Sequence, residues 1–350
     1  MDFLDQYLQD GSLQIYSSIK ARKRVYLDLK YWIMIRDNGM DGSTIASQIA
    51  QKVDDLHQTG KCIFPLSEPI LMELMKQQDD RSRLATIELA ERLSEGVALI
   101  GDRQRMKVEF SQWVKSGQDS ALKNRSAQLV WANPAMVMGY FFYSKKAEEL
   151  PEPLRRAFLD FASSISLAET LSGTTSPFVA FIGKDDIDQL NSGKLKYQHE
   201  NKTFKAMFLS ELWGYVSLFA EDFNEVIADH YFQHTGRYPT SGEKGAQDGE
   251  AWCKLIYQAF KAGKIGTELP MLRIFPSLFA SMRWNRDRKY KDGNDTADVL
   301  HACSALPYCD YFFTERELHT IINQQGLDVL FDCTVESDPE KVLQLLVAIK

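Results

Sequence analysis

Apolar positions along the chain change period several times, and those changes divide it into elements. Phe3, Leu4, Tyr7 and Leu8 recur at helical spacing over about the first 20 residues. Arg24-Val25-Tyr26-Leu27-Asp28 then reads as a short buried strand, apolar until an acid ends it. A helix is predicted from about Ser43 to Gln58, with Ile45, Ile49, Val53 and Leu56 on one face. Cys62-Ile63-Phe64-Pro65 predicts a second strand. Glu68 to Gln77 predicts the next helix, carrying Ile70, Leu71, Leu74 and Met75 with Glu73 among them. The order β-α-β-α is the opening of a doubly wound parallel sheet.

From roughly Asp80 to Asn285 the pattern turns helical, with few strand signals. Leu84 to Leu93, Pro153 to Leu171, Phe204 to Phe232 and Ala251 to Phe260 all repeat apolar residues every three or four positions. Segments such as Ser172-Gly173-Thr174-Thr175-Ser176-Pro177 and Gly236 to Gly242 separate them. The α/β rhythm then returns. A helix over 295–306, a strand Tyr311-Phe312-Phe313-Thr314, a helix from Glu315 to Asn323, a strand Val329-Leu330-Phe331 and a helix over 338–348 are predicted. The expected architecture is a Rossmann-like three-layer α/β/α domain with a parallel sheet, formed by residues 1–80 and 290–350. A mostly α-helical insertion over 81–289 interrupts it.

Composition narrows the classes. At 350 residues and 44% hydrophobic content the chain can bury one large core or two modest ones. No apolar run approaches a membrane span, and Met1-Asp2-Phe3-Leu4-Asp5 lacks the basic start of a signal peptide, so a cytoplasmic protein without a membrane partner is expected. Cys62, Cys253, Cys303, Cys309 and Cys333 contain no C-x-x-C pair, so free thiols are expected. The net charge of −7 requires any grip on nucleic acid to come from local patches. Two such runs exist, Lys20 to Arg24 and Arg283 to Lys291.

The carboxylates carry the candidate chemistry. In open parallel sheets functional groups collect at the carboxyl ends of strands. Asp28 and Glu315 sit at two such ends, and Glu73 and Asp298 lie in adjoining helices. Asp295, Asp298 and His301, spaced by three, share one helix face. Acids converging on one edge repel one another, and Mg2+ or Mn2+, which prefer hard oxygen ligands, would relieve that repulsion.

The order of these elements resembles the PIN-domain nucleases, the family that includes the VapC-type toxins. The matching features are Asp28 closing the first strand, Ser67 leading into a helix with Glu73, the helix pattern Asp298, Ala302, Ala305, Leu306, and a strand ending in Thr314-Glu315. Together they cover about residues 22–78 and 290–335. The resemblance implies a PIN-like fold and a metal-binding catalytic core of Asp28, Glu73 and Asp298, with Glu315 as fourth acid. Many PIN proteins place that acid two residues beyond the threonine, where this chain has Arg316, so Asp295 and Asp310 stand as alternatives to Glu315 for the metal. Thr314 would hydrogen-bond a carboxylate or a metal-bound water, and is also a candidate substrate contact.

The activity implied is a metal-dependent endoribonuclease, with RNA, or single-stranded DNA, as substrate. Arg283, Arg286, Arg288 and Lys289 are the candidate phosphate contacts, and Trp284 and Tyr290 are candidates to stack on bases. Toxin or defence-effector duty under an inhibitory protein partner, and a homodimer formed through the insertion, are further expectations. The alternative is a PIN-like scaffold that binds RNA or a protein without cutting. His230 and His234 share a helix face but lack a third zinc ligand, and Lys30 replaces the second acid of a phosphatase-type D-x-D. Phosphate-loop, dinucleotide and serine-hydrolase motifs do not occur in the sequence.

Overall fold

The computed structural model describes residues 3–38, 42–117, 125–138, 149–172, 184–197, 202–240, 243, 248–290 and 294–350. Its centre is a parallel sheet in the order β2-β1-β5-β6, formed by Cys62–Ile63, Lys23–Leu27, Tyr311–Phe313 and Thr334–Glu336. β1 pairs with β2 through Lys23↔Cys62 and with β5 through Tyr26↔Phe312. Strands buried on both faces read as continuous apolar runs, and Val25, Tyr26, Leu27, Phe312 and Phe313 are all buried.

Helices cover both faces, giving the α/β/α arrangement. Helices Leu29–Asn38, Ile45–Gln58 and Pro339–Ala348 pack together, while Pro270–Trp284 packs on Asn294–Ala305, which touches Glu68–Lys76. The second of these helices starts at a capping box, in which the Thr44 hydroxyl accepts from Ser47 N–H and the Ser47 hydroxyl accepts from Thr44 N–H. The insertion is helix-dominated. It also supplies a separate two-stranded antiparallel sheet, β3 (Ala98–Leu99) and β4 (Trp131–Ala132), which meets the segment after β2 where Leu66 bridges to Ala98.

Three expectations are corrected. Val329-Leu330-Phe331 is not a strand. It belongs to the short helix Leu327–Phe331, which ends at Asp332 with φ 53°, and Val329 is 81% exposed. The fourth strand is Thr334–Glu336, which buries Val335 and pairs Val335 with Phe312. The stretch Pro153 to Leu171 is two helices, Glu152–Ser164 and Leu167–Ser172. Ser166 and Glu169 exchange backbone and side-chain hydrogen bonds there and start the second helix. The stretch Phe204 to Phe232 is also two helices, Phe204–Ser217 and Ala220–Thr235, jointed at Leu218 and Phe219. Phe219 turns inward there against Tyr215 and Phe223.

Candidate functional site

Asp28 follows β1 at the carboxyl edge of the sheet, and backbone bonds hold it there. Its N–H donates to Phe313 C=O at 3.1 Å, and its C=O accepts from Tyr31 and Trp32 N–H, starting the next helix. Its carboxylate accepts from Lys30 N–H at 3.0 Å and from the Thr314 hydroxyl. Thr314 is buried and fixed in turn by a 3.1 Å bond from its N–H to Glu336 C=O. Thr314 therefore bonds the carboxylate that closes the neighbouring strand.

Glu73 reaches the same edge from the Glu68–Lys76 helix. Its carboxylate lies 3.1 Å from His301 Nε2, and His301 Nδ1 lies 2.7 Å from the Tyr26 hydroxyl, which touches Ser67 Oγ at 2.5 Å. In its charged form the imidazole donates from both nitrogens, to Glu73 and Tyr26. Burial opposes that charge, but Glu73 foremost, then Asp28 and Asp298, outweigh it and raise the His301 pKa. The same imidazolium outweighs the burial of Glu73 and holds that carboxyl below its ordinary range.

Asp298 lies one turn before His301, and Glu315 occupies the N-cap position of the helix Arg316–Gln324 with its side chain exposed. Burial, followed by the fields of Asp28, Glu315 and Glu73, pushes the Asp298 carboxyl up to about 7 against the opposing pull of His301. Burial likewise raises Asp28 to about 6, with His301 and Thr314 opposing and Glu73 and Glu315 adding to the rise. The four acids thus sit within one another's fields, with a single imidazole set among them.

The remaining candidates fall into other places. Asp310 is at the opposite end of β5, held by Arg24 at 3.0 Å and Lys23 at 3.1 Å. Asp295 pairs with Arg288 at 2.5 Å, and Arg288 also reaches Glu317 at 2.6 Å, tying the Asn294–Ala305 helix to the helix that follows Glu315. Arg283 is paired with Glu211. Arg286 and Lys289 are exposed. Lys194, itself buried, binds this basic segment by donating to the carbonyls of Met282 at 2.9 Å, Asn285 at 2.5 Å and Arg288. Tyr290 is buried, so its ring is withdrawn from any base, whereas Trp284 is 46% exposed against the edge of Phe204. His230 faces Ser111, and His234 bonds the His230 carbonyl.

A second buried polar group, absent from the sequence reading, joins insertion to core. Glu109, in the helix Asp102–Ser116, accepts from the Tyr308 hydroxyl at 2.6 Å and from Met271 N–H at 3.0 Å. Arg105 of the same helix is fully buried and paired with Asp102.

The oxygen donors Asp28, Glu73, Asp298 and Glu315 suit a hard divalent cation in kind, and Asp298, whose ionisation burial and its neighbours oppose, is a carboxyl that such an ion would favour in the charged form. As they stand, among the described residues no three His, Cys, Asp or Glu side chains are disposed to share one ion. His301 occupies Glu73 instead. Comparison with protein-family models, curated proteins and solved structures finds no match. The five cysteines are free and buried, and among the described residues no helix is long and apolar enough to cross a membrane.

Proposed function

We propose that the chain is a PIN-like, divalent-metal-dependent ribonuclease acting at the Asp28, Glu73, Asp298 and Glu315 edge. The observation that carries this reading is the gathering of Asp28, Glu73 and Asp298, with His301 bonded to Glu73, at the carboxyl edge of the sheet. Buried acids set in each other's fields are costly to the fold, and a site that binds a cation is where such a cost is recovered. When bound, Mg2+ or Mn2+ would polarise the phosphodiester and lower the pKa of an attacking water. Asp28, oriented by Thr314 and Lys30 N–H, would hold the ion with Asp298. Glu73 would join them on leaving His301. Exposed Arg286 and Lys289 would position phosphates, and Trp284 would stack on a base.

Specific observations favour a second reading, a PIN-like scaffold that binds RNA or a protein partner without cutting. His301 already neutralises Glu73, so this reading requires no side chain to move and has the more direct support. Labelled single-stranded RNA, structured RNA and DNA, incubated with Mn2+, Mg2+ or EDTA, separate the two. Metal-dependent cutting by wild type, lost in Asp28→Asn and Asp298→Asn, supports the nuclease. RNA retention without cutting, unchanged by metal, supports the scaffold.

A further inference from the structure

A cleft of about 340 Å3 opens on the same carboxyl edge of the sheet as the acidic centre. Glu68 contributes from the helix after β2, Asp102 and Arg103 from the helix after β3, Leu218 and Phe219 from the joint between two insertion helices, and Leu300 from the residue before His301. Its volume is in the range of small-ligand sites, roughly 300–1,000 Å3. The link to the centre is short: Ser67, next to Glu68, bonds the Tyr26 hydroxyl that bonds His301, and the His301 charge is felt at Asp102.

The lining disfavours a phosphate. Arg103 is already neutralised, its Nε lying 2.8 and 2.9 Å from the two carboxylate oxygens of fully buried Asp222, and Lys107 adds a 3.3 Å contact to the same acid. Asp102 is paired with buried Arg105, so Glu68 is the acid that adds negative charge to the lining. Glu68 is fixed in place, with one oxygen accepting from Asp102 N–H at 2.8 Å. A Cβ at Gly101 would lie 3.0 Å from that oxygen, so glycine permits the approach. The second Glu68 oxygen and the apolar surfaces of Leu218, Phe219 and Leu300 remain to meet a ligand. Leu218 is 71% exposed, a projecting apolar wall.

Carboxylate acceptors beside apolar walls complement a flat neutral ring bearing N–H donors. We propose that the cleft is a nucleobase subsite, holding the base next to the scissile phosphate and selecting bases with an exocyclic amino group. Guanine, adenine and cytosine offer an exocyclic amino group to a carboxylate, whereas the one ring N–H of uracil lies between two carbonyl oxygens that a carboxylate repels. The assignment rests on RNA being the polymer held at the acidic centre.

NMR titration of the full chain in EDTA with guanosine, adenosine, cytidine and uridine tests the subsite without catalysis. The amino-bearing nucleosides are expected to bind, with uridine about tenfold weaker, the factor carried by one hydrogen bond to a charged group. Leu218→Glu, at an exposed position, is expected to remove binding. Glu68→Gln keeps an oxygen for Asp102 N–H and is expected to narrow the preference over uridine; unchanged melting temperatures establish that both variants fold. Absence of binding by every nucleoside, equal binding of uridine, or no effect of Leu218→Glu overturns the subsite. Metal-dependent RNA cutting with no nucleoside binding overturns the subsite and leaves the nuclease standing. Nucleoside binding without cutting supports the subsite and removes the nuclease.

Discussion

Replacing Asp298 by Asn is expected to stabilise the metal-free chain at alkaline pH. The carboxyl titrates near 3.8 when unfolded and at about 7 when folded, because it is buried and faces Asp28, Glu315 and Glu73. Between those values the folded state binds more protons than the unfolded state, so stability falls as pH rises. The penalty is absent below the unfolded pKa and full above about 7. Three pH units at ~1.4 kcal/mol each give ~4 kcal/mol, and relaxation of the partly buried site reduces this to roughly 2–4 kcal/mol. With an unfolding entropy of ~2.1 cal/mol/K per residue, the gain corresponds to about 3–5 °C in melting temperature. Thermal unfolding in EDTA at pH 4.5 and pH 8 measures it: Asp298→Asn should exceed wild type by only about a quarter of the full margin at the lower pH and by the full margin at the higher. Added Mn2+ should raise the wild-type melting temperature and leave the variant unmoved. A variant destabilised equally at both pH values would refute the electrostatic reasoning, since its cost would then be packing.

Three other expectations follow from pairings already described. Neutralising Arg286 and Lys289 together should weaken RNA binding across sequences and lower the slope of log affinity against log salt by about 1.4 for a single strand, while Arg283→Ala, removing a residue paired with Glu211, should change that slope less; filter binding over a salt series reads both. Tyr308→Phe leaves buried Glu109, an acid pushed up to about 7 chiefly by burial, without its 2.6 Å donor. Urea unfolding should show a loss of about 1–3 kcal/mol at neutral pH. Lys194→Met strands the carbonyls of Met282, Asn285 and Arg288, and should lower the melting temperature and speed hydrogen exchange over residues 285–290, a region in which wild-type-like exchange would dismiss the clamp.

The elements legible in sequence were those whose burial is one-sided or whose strand runs are apolar throughout. β1, β5 and the helices Ile45–Gln58, Asn294–Ala305 and Pro339–Ala348 all lie close to their predicted positions. Helix Pro270–Trp284 escaped because it is buried nearly all round, through Met271, Leu272, Ile274, Leu278, Phe279 and Met282, and carries Pro276 inside it. β3 and β4, two residues each, are too short for any period to register. Val329-Leu330-Phe331 has strand composition, but only Val335 finds the register that buries it beside Phe312. At the site, strand ends pointed to Asp28 and Glu315. The contact of His301 with Tyr26, 275 positions away, leaves no local signal, and neither does that of Glu109 with Tyr308.

The central strand β1 has β2 on one side and β5 on the other, and the second pairing joins Tyr26 to Phe312. During synthesis, β1 therefore waits with one hydrogen-bonding edge open until the whole insertion has left the ribosome. Contacts of such long sequence separation form late, and the exposed edge meanwhile calls for a chaperone or for the insertion helices to shield it. The same order of events keeps Asp298 and Glu315 away from Asp28 and Glu73 until the residues after the insertion emerge, so a nascent chain carries no assembled acidic centre while its insertion is still being translated.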